Sequence, residues 1–582
     1  MGTKRVVLLS LAGLALSGVL CQKSPAQEEF LRSTAEPGRP GGRLVVAQSS
    51  EPKTLNPVLA LDQPSRDVVR RMTADLVHIE RDSQKTVPAL AKSWTATRNG
   101  KSITVQLRRG VRFSDGAPFD ADDVVFTYKV YLDENVHSSQ RDLLIVGGQP
   151  MRVEKLGPYT VRFSFAAPYA VGERVFDSLA ILPRHLLEKD YQEGRLAKVW
   201  TLATAPDKIA GLGPFRLKQV VPGERIVLER NPYYWKTDAK GQKLPYLDEL
   251  VFLTVPSRDA QVARFQAGET QAISPLSAEN FAALALEQKA RHYKLQDVGP
   301  GQEYNFLLFN LNSDLESKLP QVARRQKWFR EVRFRQAVSA GIDRSALVRL
   351  VYQNRGAPLA TNVTLGNKLW INPAISPTPY SPANARKLLQ DAGFSWKDGA
   401  LLDSAGQAVE FSILVSGSNP QRSQMATLIQ DDLKKLGMNV HVVSLEFRSL
   451  VDRILQSHDY ETAVMGLGGG DLDPNTDMSF LTSGGQSHFW HLDQKQPATP
   501  WEAEIDKLMQ QQLVTVHYRE RKKLYDRVQE IMARETPVVF LASPNILVGM
   551  QEDLGNVRPA IIDNYVIWNA DELFWRTPAP KH

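Results

Sequence analysis

The sequence predicts an α/β protein built in two or more lobes, and three observations carry that prediction. Residues 409–465 alternate short β-branched runs with helical periodicity in the order β-α-β-α-β, a pattern that calls for a mostly parallel sheet with right-handed crossovers. The length, 582 residues, exceeds what one hydrophobic core organises. The composition is that of a globular chain, 42% apolar and 23% charged, which disfavours disorder and, for the body of the chain, a membrane-spanning class.

Within that stretch each element has its own signal. The run 409–415 is short and β-branched enough for a buried strand. The polar turn Ser416-Gly417-Ser418-Asn419-Pro420 leads to a helix with Met425, Leu428, Ile429, Leu433 and Leu436 on one face, stopped by Gly437. Val440, Val442 and Val443 read as a second strand, 447–455 as a second helix and 462–465 as a third strand. Open α/β sheets bind ligands at the carboxyl ends of their strands. The acidic, glycine-rich exit from Gly466 to Pro474 is therefore the first candidate for a binding wall.

The rest of the chain follows in order. Lys4-Arg5 precede an apolar and small-residue run from Val6 to Leu20, too short to span a bilayer, so 1–20 reads as a secretory signal peptide. Cys21, the only cysteine, stands where a bacterial lipoprotein is cleaved and lipidated. Gly18 and Leu20 depart from that pattern, and cleavage after Ala26, with Ser24 as the second small residue, is the competing reading. On either reading no intramolecular disulfide can form. Residues 21–42, polar and rich in Gly and Pro, read as a tether or disordered arm. The net charge of +7 comes from 71 basic and 64 acidic residues without any basic block, so solubility, rather than nucleic-acid binding, accounts for it.

A strand at 43–47 opens the folded part, followed by the turn-rich 51–57 and a helix over 65–77. Ile103, Val105 and Leu107 alternate along a strand, and after the tight turn 113–118 Asp120 caps a helix with Asp122 and Asp123 in its first turn. Further strands are expected at 159–165, in a hairpin (211–218 and 225–228) turned at Pro222-Gly223, at 250–255, and at 304–310. Helices are expected at 260–267, at 332–339, from Asp343, and between Ser381 and Gly393, where an N-cap, an N1 proline and a C′ glycine bound one. Two long helices fill 501–534, Pro537 breaks the second, and 538–541 reads as a strand.

Five of these segments together resemble the peptide/nickel-type (family 5) extracellular solute-binding proteins of bacterial ABC importers. They are 51–57 (EPKTLNP); 107–116 with 121–126; 211–215 with 229–235; Val332-Arg333 with Gln336-Ala337 and 341–344; and 385–389 with Ala392-Gly393. They recur in family order across roughly the whole mature chain.

The resemblance implies an α/β, two-lobed, periplasmic-binding-protein-like (class II) fold with a subdomain inserted in lobe I. Lobe I would span 43–301, with the insertion at about 76–203, and be rejoined by 545–582; lobe II would span 302–544. A hinge near Gly301 and Ser543-Pro544 would close on a ligand. The implied function is capture of a peptide, an oligopeptide rather than a dipeptide, and its delivery to ABC permease subunits in the inner membrane. The protein would be a periplasmic or cell-surface monomer without catalytic activity, cofactor or nucleic-acid partner, touching the membrane only through a lipid on Cys21.

The family's peptide binders hold the ligand amine with an aspartate in a pattern like G-W-x-x-D-x-x-D-P. Here Gly466 and Asp473-Pro474 match, Leu467 replaces the tryptophan, Gly470 replaces the aspartate, and Asp471 lies one step on. Asp471 and Asp473 are the implied ligand residues, or else they close a turn or cap the next helix. The family's dipeptide binders also clamp the ligand carboxylate with an arginine after the preceding strand. None lies within 416–419, which argues for a longer peptide; Ser416 and Ser418 remain as polar candidates there. Tyr304, Trp370, Phe489 and Trp490 are candidates for lining the cleft or for core packing. Trp490 is favoured by its Gly/Ser/His-rich loop, and Gln63 and Ser65 are candidates for bonding a peptide backbone.

Alternatives within the class are a metal chelate or another non-peptide solute. From another class comes a secreted hydrolase or metalloprotein using His488 and His491, spaced i, i+3 with Asp471 and Asp473 nearby in sequence. Gly466 to Gly470 lacks the Lys-Ser/Thr of a phosphate loop, and no G-x-S-x-G elbow occurs. The lone cysteine lies in the export signal.

Overall fold

The structure, a computed structural model, describes Gly2 and residues 28–577 except Ser139, Ser178, Asp314, residues 469–471 and Asn564. The signal peptide apart from Gly2, the lipidation candidate Cys21 and the ligand candidate Asp471 lie outside the described residues.

Two sheets organise two bodies. The first has the order Phe215–Val221, Arg225–Arg230, Glu249–Thr254, Arg43–Gln48, Ala272–Ile273, Ala542–Gln551, Tyr293–Pro300, with Gly356–Pro358 paired to the side of Ala542–Gln551. The second has the order Asn439–Leu445, Glu410–Ser416, Thr462–Leu467, Tyr304–Phe309, Val538–Phe540. A four-stranded antiparallel sheet, Ala91–Ala96, Ser102–Leu107, Thr160–Ser164 and Arg152–Gly157, is attached to the first body. Its core is continuous with that body's, from Leu44 through Phe163 to Trp575, whereas a separate core runs from Tyr304 to Ala542.

The second sheet is mixed rather than mostly parallel, and the chain path explains why. Glu410–Ser416 pairs parallel with Asn439–Leu445 and with Thr462–Leu467, as the β-α-β-α-β pattern requires. Tyr304–Phe309, buried at every residue, enters from the first body and therefore runs away from the crossing. It pairs antiparallel with Thr462–Leu467, with Tyr304 opposite Leu467, and antiparallel with the returning Val538–Phe540.

Local signals set most element ends. Asp120 and Asp123 form a reciprocal capping box on the helix Ala121–Leu132. Ser381 caps Pro382–Asp391, and Gly393 follows at φ +87°. The helix expected over 65–77 instead spans Gln63–Met72, capped by Asp62 and stopped at Thr73. Gly213 donates its N–H to the Met72 carbonyl (2.9 Å), and a Cβ on Gly211 would lie 2.0 Å from that oxygen. The glycine loop thus occupies the space the next turn would need. Val77–Ile79 becomes a short strand paired with Thr86–Pro88.

No helix among the described residues is long and apolar enough to cross a membrane.

Candidate functional site

The chain passes between the two sheets twice, side by side. Residues 301–303 join Tyr293–Pro300 to Tyr304–Phe309, and Leu541 joins Val538–Phe540 to Ala542–Gln551. At the crossing the Gly301 N–H donates to the Pro544 carbonyl (2.9 Å), and the Gly301 carbonyl accepts from Thr364 Oγ1 (2.7 Å). A Cβ on Gly301 would approach Ile546 Cδ1 to 2.7 Å, so glycine lets the two connections lie close.

Above this crossing a cavity of about 950 Å³ opens between the bodies. The first body contributes Leu276, Ser277, Asp563 and Tyr565; the second contributes Ser418, Asn419, Arg422 and residues 466–468; Gln302 and Glu303 lie at the crossing itself. The carboxyl ends of two parallel strands, 410–416 and 462–467, thus feed the cavity. Sharing Gln302, Leu467 and Gly468 with it, a side pocket of about 220 Å³ continues into the second body toward Tyr304, Asn362 and Asp477.

The candidate residues fall into different places. Ser418 lines the cavity, while Ser416 is buried behind it, its hydroxyl 2.8 Å from that of Ser418. Tyr304 lines the side pocket. Asp473 lines neither: its carboxylate is taken by Arg521, and its Oδ1 accepts from the Asn475 N–H (3.0 Å), capping the turn Pro474–Asp477. Trp490 is 0% exposed and donates Nε1–H to Glu502 (3.3 Å), which makes it a core residue of the second body. Phe489 and Trp370 are buried in the same core. Gln63 lines neither space; its amide bonds Asp67 (2.6 Å) and Arg66 (2.7 Å) on its own helix. Ser65, fully buried, accepts from the Lys53 and Thr54 N–H groups and so holds the 51–57 turn.

The rings of His488 and His491 have different partners. His488 Nε2 meets buried Glu502 (3.2 Å), and His491 Nε2 meets Ser313 (2.8 Å). No group of three or more His, Cys, Asp or Glu side chains placed to hold a metal ion occurs among the described residues.

The sequence reading missed Arg422. It stands three residues beyond the 416–419 turn, in the first turn of the helix Pro420–Lys434 that Asn419 caps. Its Nε donates to Asn305 Oδ1 (2.8 Å) and its Nη2 to Glu303 (2.9 Å). Gly466 makes room for this: a Cβ there would lie 2.3 Å from Arg422 Nη2 and 2.5 Å from Asn305 Oδ1. The available signal was helix geometry, since a residue one turn into a helix that starts at a strand end still faces that end. Away from the cavity lining, on the helix Gln63–Met72, burial pushes the Asp67 carboxyl up to about 6 against the pull of nearby Arg71, and the cavity-lining Asp563 pushes the same way as burial.

The bodies also touch beyond the cavity. Fully buried Gln84, from the first body, donates to the Gly366 carbonyl (2.8 Å) and accepts from the Lys368 N–H (3.0 Å) of the second. The Ala170 N–H donates to the Leu513 carbonyl (2.9 Å).

A family model described as bacterial extracellular solute-binding proteins, family 5 Middle, matches residues 85–489. A probable ABC transporter-binding protein of Deinococcus radiodurans is 27% identical, over 93% of each chain. The oligopeptide-binding protein AppA of Bacillus subtilis is 27% identical over 95% of each chain. Its structure with a nonapeptide aligns at a TM-score of 0.66 and 24% identity, over 93% of this chain and 100% of that one. The ABC transporter substrate-binding protein CtaP of Listeria monocytogenes aligns at a TM-score of 0.76 and 21% identity, with the same coverage.

Proposed function

From the premise that this chain belongs to the bacterial extracellular solute-binding proteins of family 5, we propose that it captures an oligopeptide between its two bodies and delivers it to the permease subunits of an ABC importer. The observation that carries the reading is the cavity of about 950 Å³ at a two-strand crossing, walled by both bodies. Sites for small ligands span about 300–1,000 Å³, so this one has room for several residues rather than a single ion. A ligand touching both walls stabilises the arrangement in which they face each other, which is how such a protein closes. The relative named an oligopeptide-binding protein, similar over 95% of the chain, supports the peptide class.

In this reading the bodies are 43–301 with 545–582, and 302–544, with 76–203 an insertion in the first. Ser418, Tyr304 and Arg422 contact the ligand, and Arg422 exchanges its contact with Glu303 for the ligand's carboxylate or carbonyl groups. The chain binds and releases without chemistry, acts as a monomer outside the cytoplasm, and is held at the membrane by a lipid on Cys21.

Native mass spectrometry of protein purified without denaturation tests the function. Adducts with peptide fragment spectra are expected, and adducts that are uniformly non-peptide would overturn it. Metabolic labelling with a fatty-acid analogue, compared between the wild type and Cys21→Ala, tests the anchor.

A further inference from the structure

The side pocket off the main cavity holds a carboxylate that no cation among the described residues neutralises. Asp477 sits at the junction of the turn Pro474–Asp477 and the short helix Met478–Leu481, and makes no cap bond to that helix. One carboxylate oxygen, Oδ2, accepts from the Tyr525 hydroxyl (2.5 Å) and from Asn362 Nδ2 (3.0 Å). The neighbouring charge acting on it is another anion, Asp473, whose own arginine is fully engaged with it. Burial pushes the Asp477 carboxyl up to about 6, against the two hydrogen bonds. An ionised group there at neutral pH is costly unless a cation joins it.

A second, independent observation points the same way. Asn362 lines this pocket, is 4% exposed, and its amide nitrogen is used by Asp477 and Tyr525. Its Oδ1 is buried without a hydrogen-bond partner among the described residues. Buried polar atoms are rarely left unpaired, and an orphan acceptor beside a carboxylate asks for a donor carrying positive charge. The pocket also carries the rings of Tyr304 and Phe480, with centroids 5.7 Å apart, and aromatic faces attract cations. Its volume of about 220 Å³ admits one side-chain end or chain end.

We infer that this pocket is a cation-accepting subsite in which Asp477 and Asn362 receive an ammonium or guanidinium group of the ligand. The inference rests on the reading of the cavity as a peptide site, and it narrows the ligand to peptides that place a basic side chain or a free amino terminus there.

Calorimetric titration of the purified mature protein with four alanine pentapeptides tests it. The central residue is lysine or norleucine, and the amino terminus is free or acetylated. Cationic forms are expected to bind tighter by on the order of tenfold, the worth of one hydrogen bond to a charged group. In Asp477→Asn and in Asn362→Leu the ratio is expected to fall toward one. Preference that follows lysine identifies a side-chain subsite, and preference that follows the free amine identifies a terminus subsite. Equal affinities in the wild type, or a preference that survives Asp477→Asn, would overturn the inference. If none of the four binds, the peptide reading itself fails, and butylammonium alone decides the subsite. It must then raise the melting temperature of the wild type and not of Asp477→Asn; equal response of the two overturns the subsite.

Discussion

Asp473 and Arg521 meet fork to fork, Oδ2 to Nη1 and Oδ1 to Nη2 both at 2.6 Å, with each side chain only 4% exposed. The arginine also reaches the Gln512 carbonyl (3.1 Å) and lies over the Trp370 ring, so the pair ties the 472–477 turn to the helices behind it. Removing one partner of such a buried pair strands the other charge, at a cost of about 3–5 kcal/mol. Asp473→Ala is expected to lose that much in urea denaturation. The double replacement Asp473→Leu with Arg521→Met should recover part of it. If Asp473→Ala instead unfolded at the wild-type midpoint and lost ligand, the aspartate would be a binding residue after all.

Glu502 gives a pH dependence of known sign. Burial alone would raise its carboxyl, but hydrogen bonds from His488, Thr499 and Gln494 outweigh burial and hold it at about 2, below its ordinary 4.5. A folded pKa below the unfolded one adds stability that is complete above 4.5, shrinks as pH falls from 4.5 toward 2, and vanishes below. The worth at neutral pH is about 3 kcal/mol. Glu502→Gln should be destabilised by that order at pH 7 and match the wild type near pH 2, as read by urea midpoints across the range. A pH-independent difference would contradict the linkage.

Gln84 of the first body bonds to residues 366 and 368 of the second, so in the proposed function these bonds belong to the closed arrangement. At about 0.5–1.5 kcal/mol per bond, Gln84→Ala should weaken ligand binding by roughly fivefold to 150-fold, the two bonds together. Without ligand, X-ray scattering should show a larger radius of gyration than the wild type. Unchanged affinity and unchanged scattering would show that the contact does not bias closure.

Gly466→Ala places a methyl carbon against Arg422 and Asn305. Overpacking of this kind costs about 1–3 kcal/mol, and the guanidinium has to leave Asn305. We expect a lower melting temperature together with a changed affinity for any peptide carrying a free carboxylate. Loss of stability with an unaltered carboxylate preference would place Arg422 outside the ligand contacts.

Periodicity found the elements because periodicity reports burial. The run Ile413, Leu414, Val415 and the face Met425, Ile429, Leu433 are all buried in the second body. Caps were legible for the same local reason: Asp120, Asp343 and Ser381 each hold a helix start. What local pattern does not carry is contact between distant segments. Nothing near Asp473 says that Arg521 will claim it, and nothing near Met72 says that Gly211 and Gly213 will halt its helix. Arg422 escaped because the 416–419 turn was read as a loop, whereas the cavity wall includes the helix turn that follows it. Trp490 looked loop-borne by its Gly/Ser neighbours, yet the loop folds inward and the ring fills the core.

The strand Ala542–Gln551 sits between Ala272–Ile273 and Tyr293–Pro300. Synthesis runs from the amino end and domains generally fold as units, so the first sheet cannot be finished until residue 551 has left the ribosome. The second body, continuous from Tyr304 to Phe540, is complete sooner and waits for its partner. A chain cut after Leu541 should therefore show a protease-resistant fragment beginning near residue 302, with the earlier strands digested. Survival of residues 43–300 in that truncation would show that the first body does not depend on its last strand.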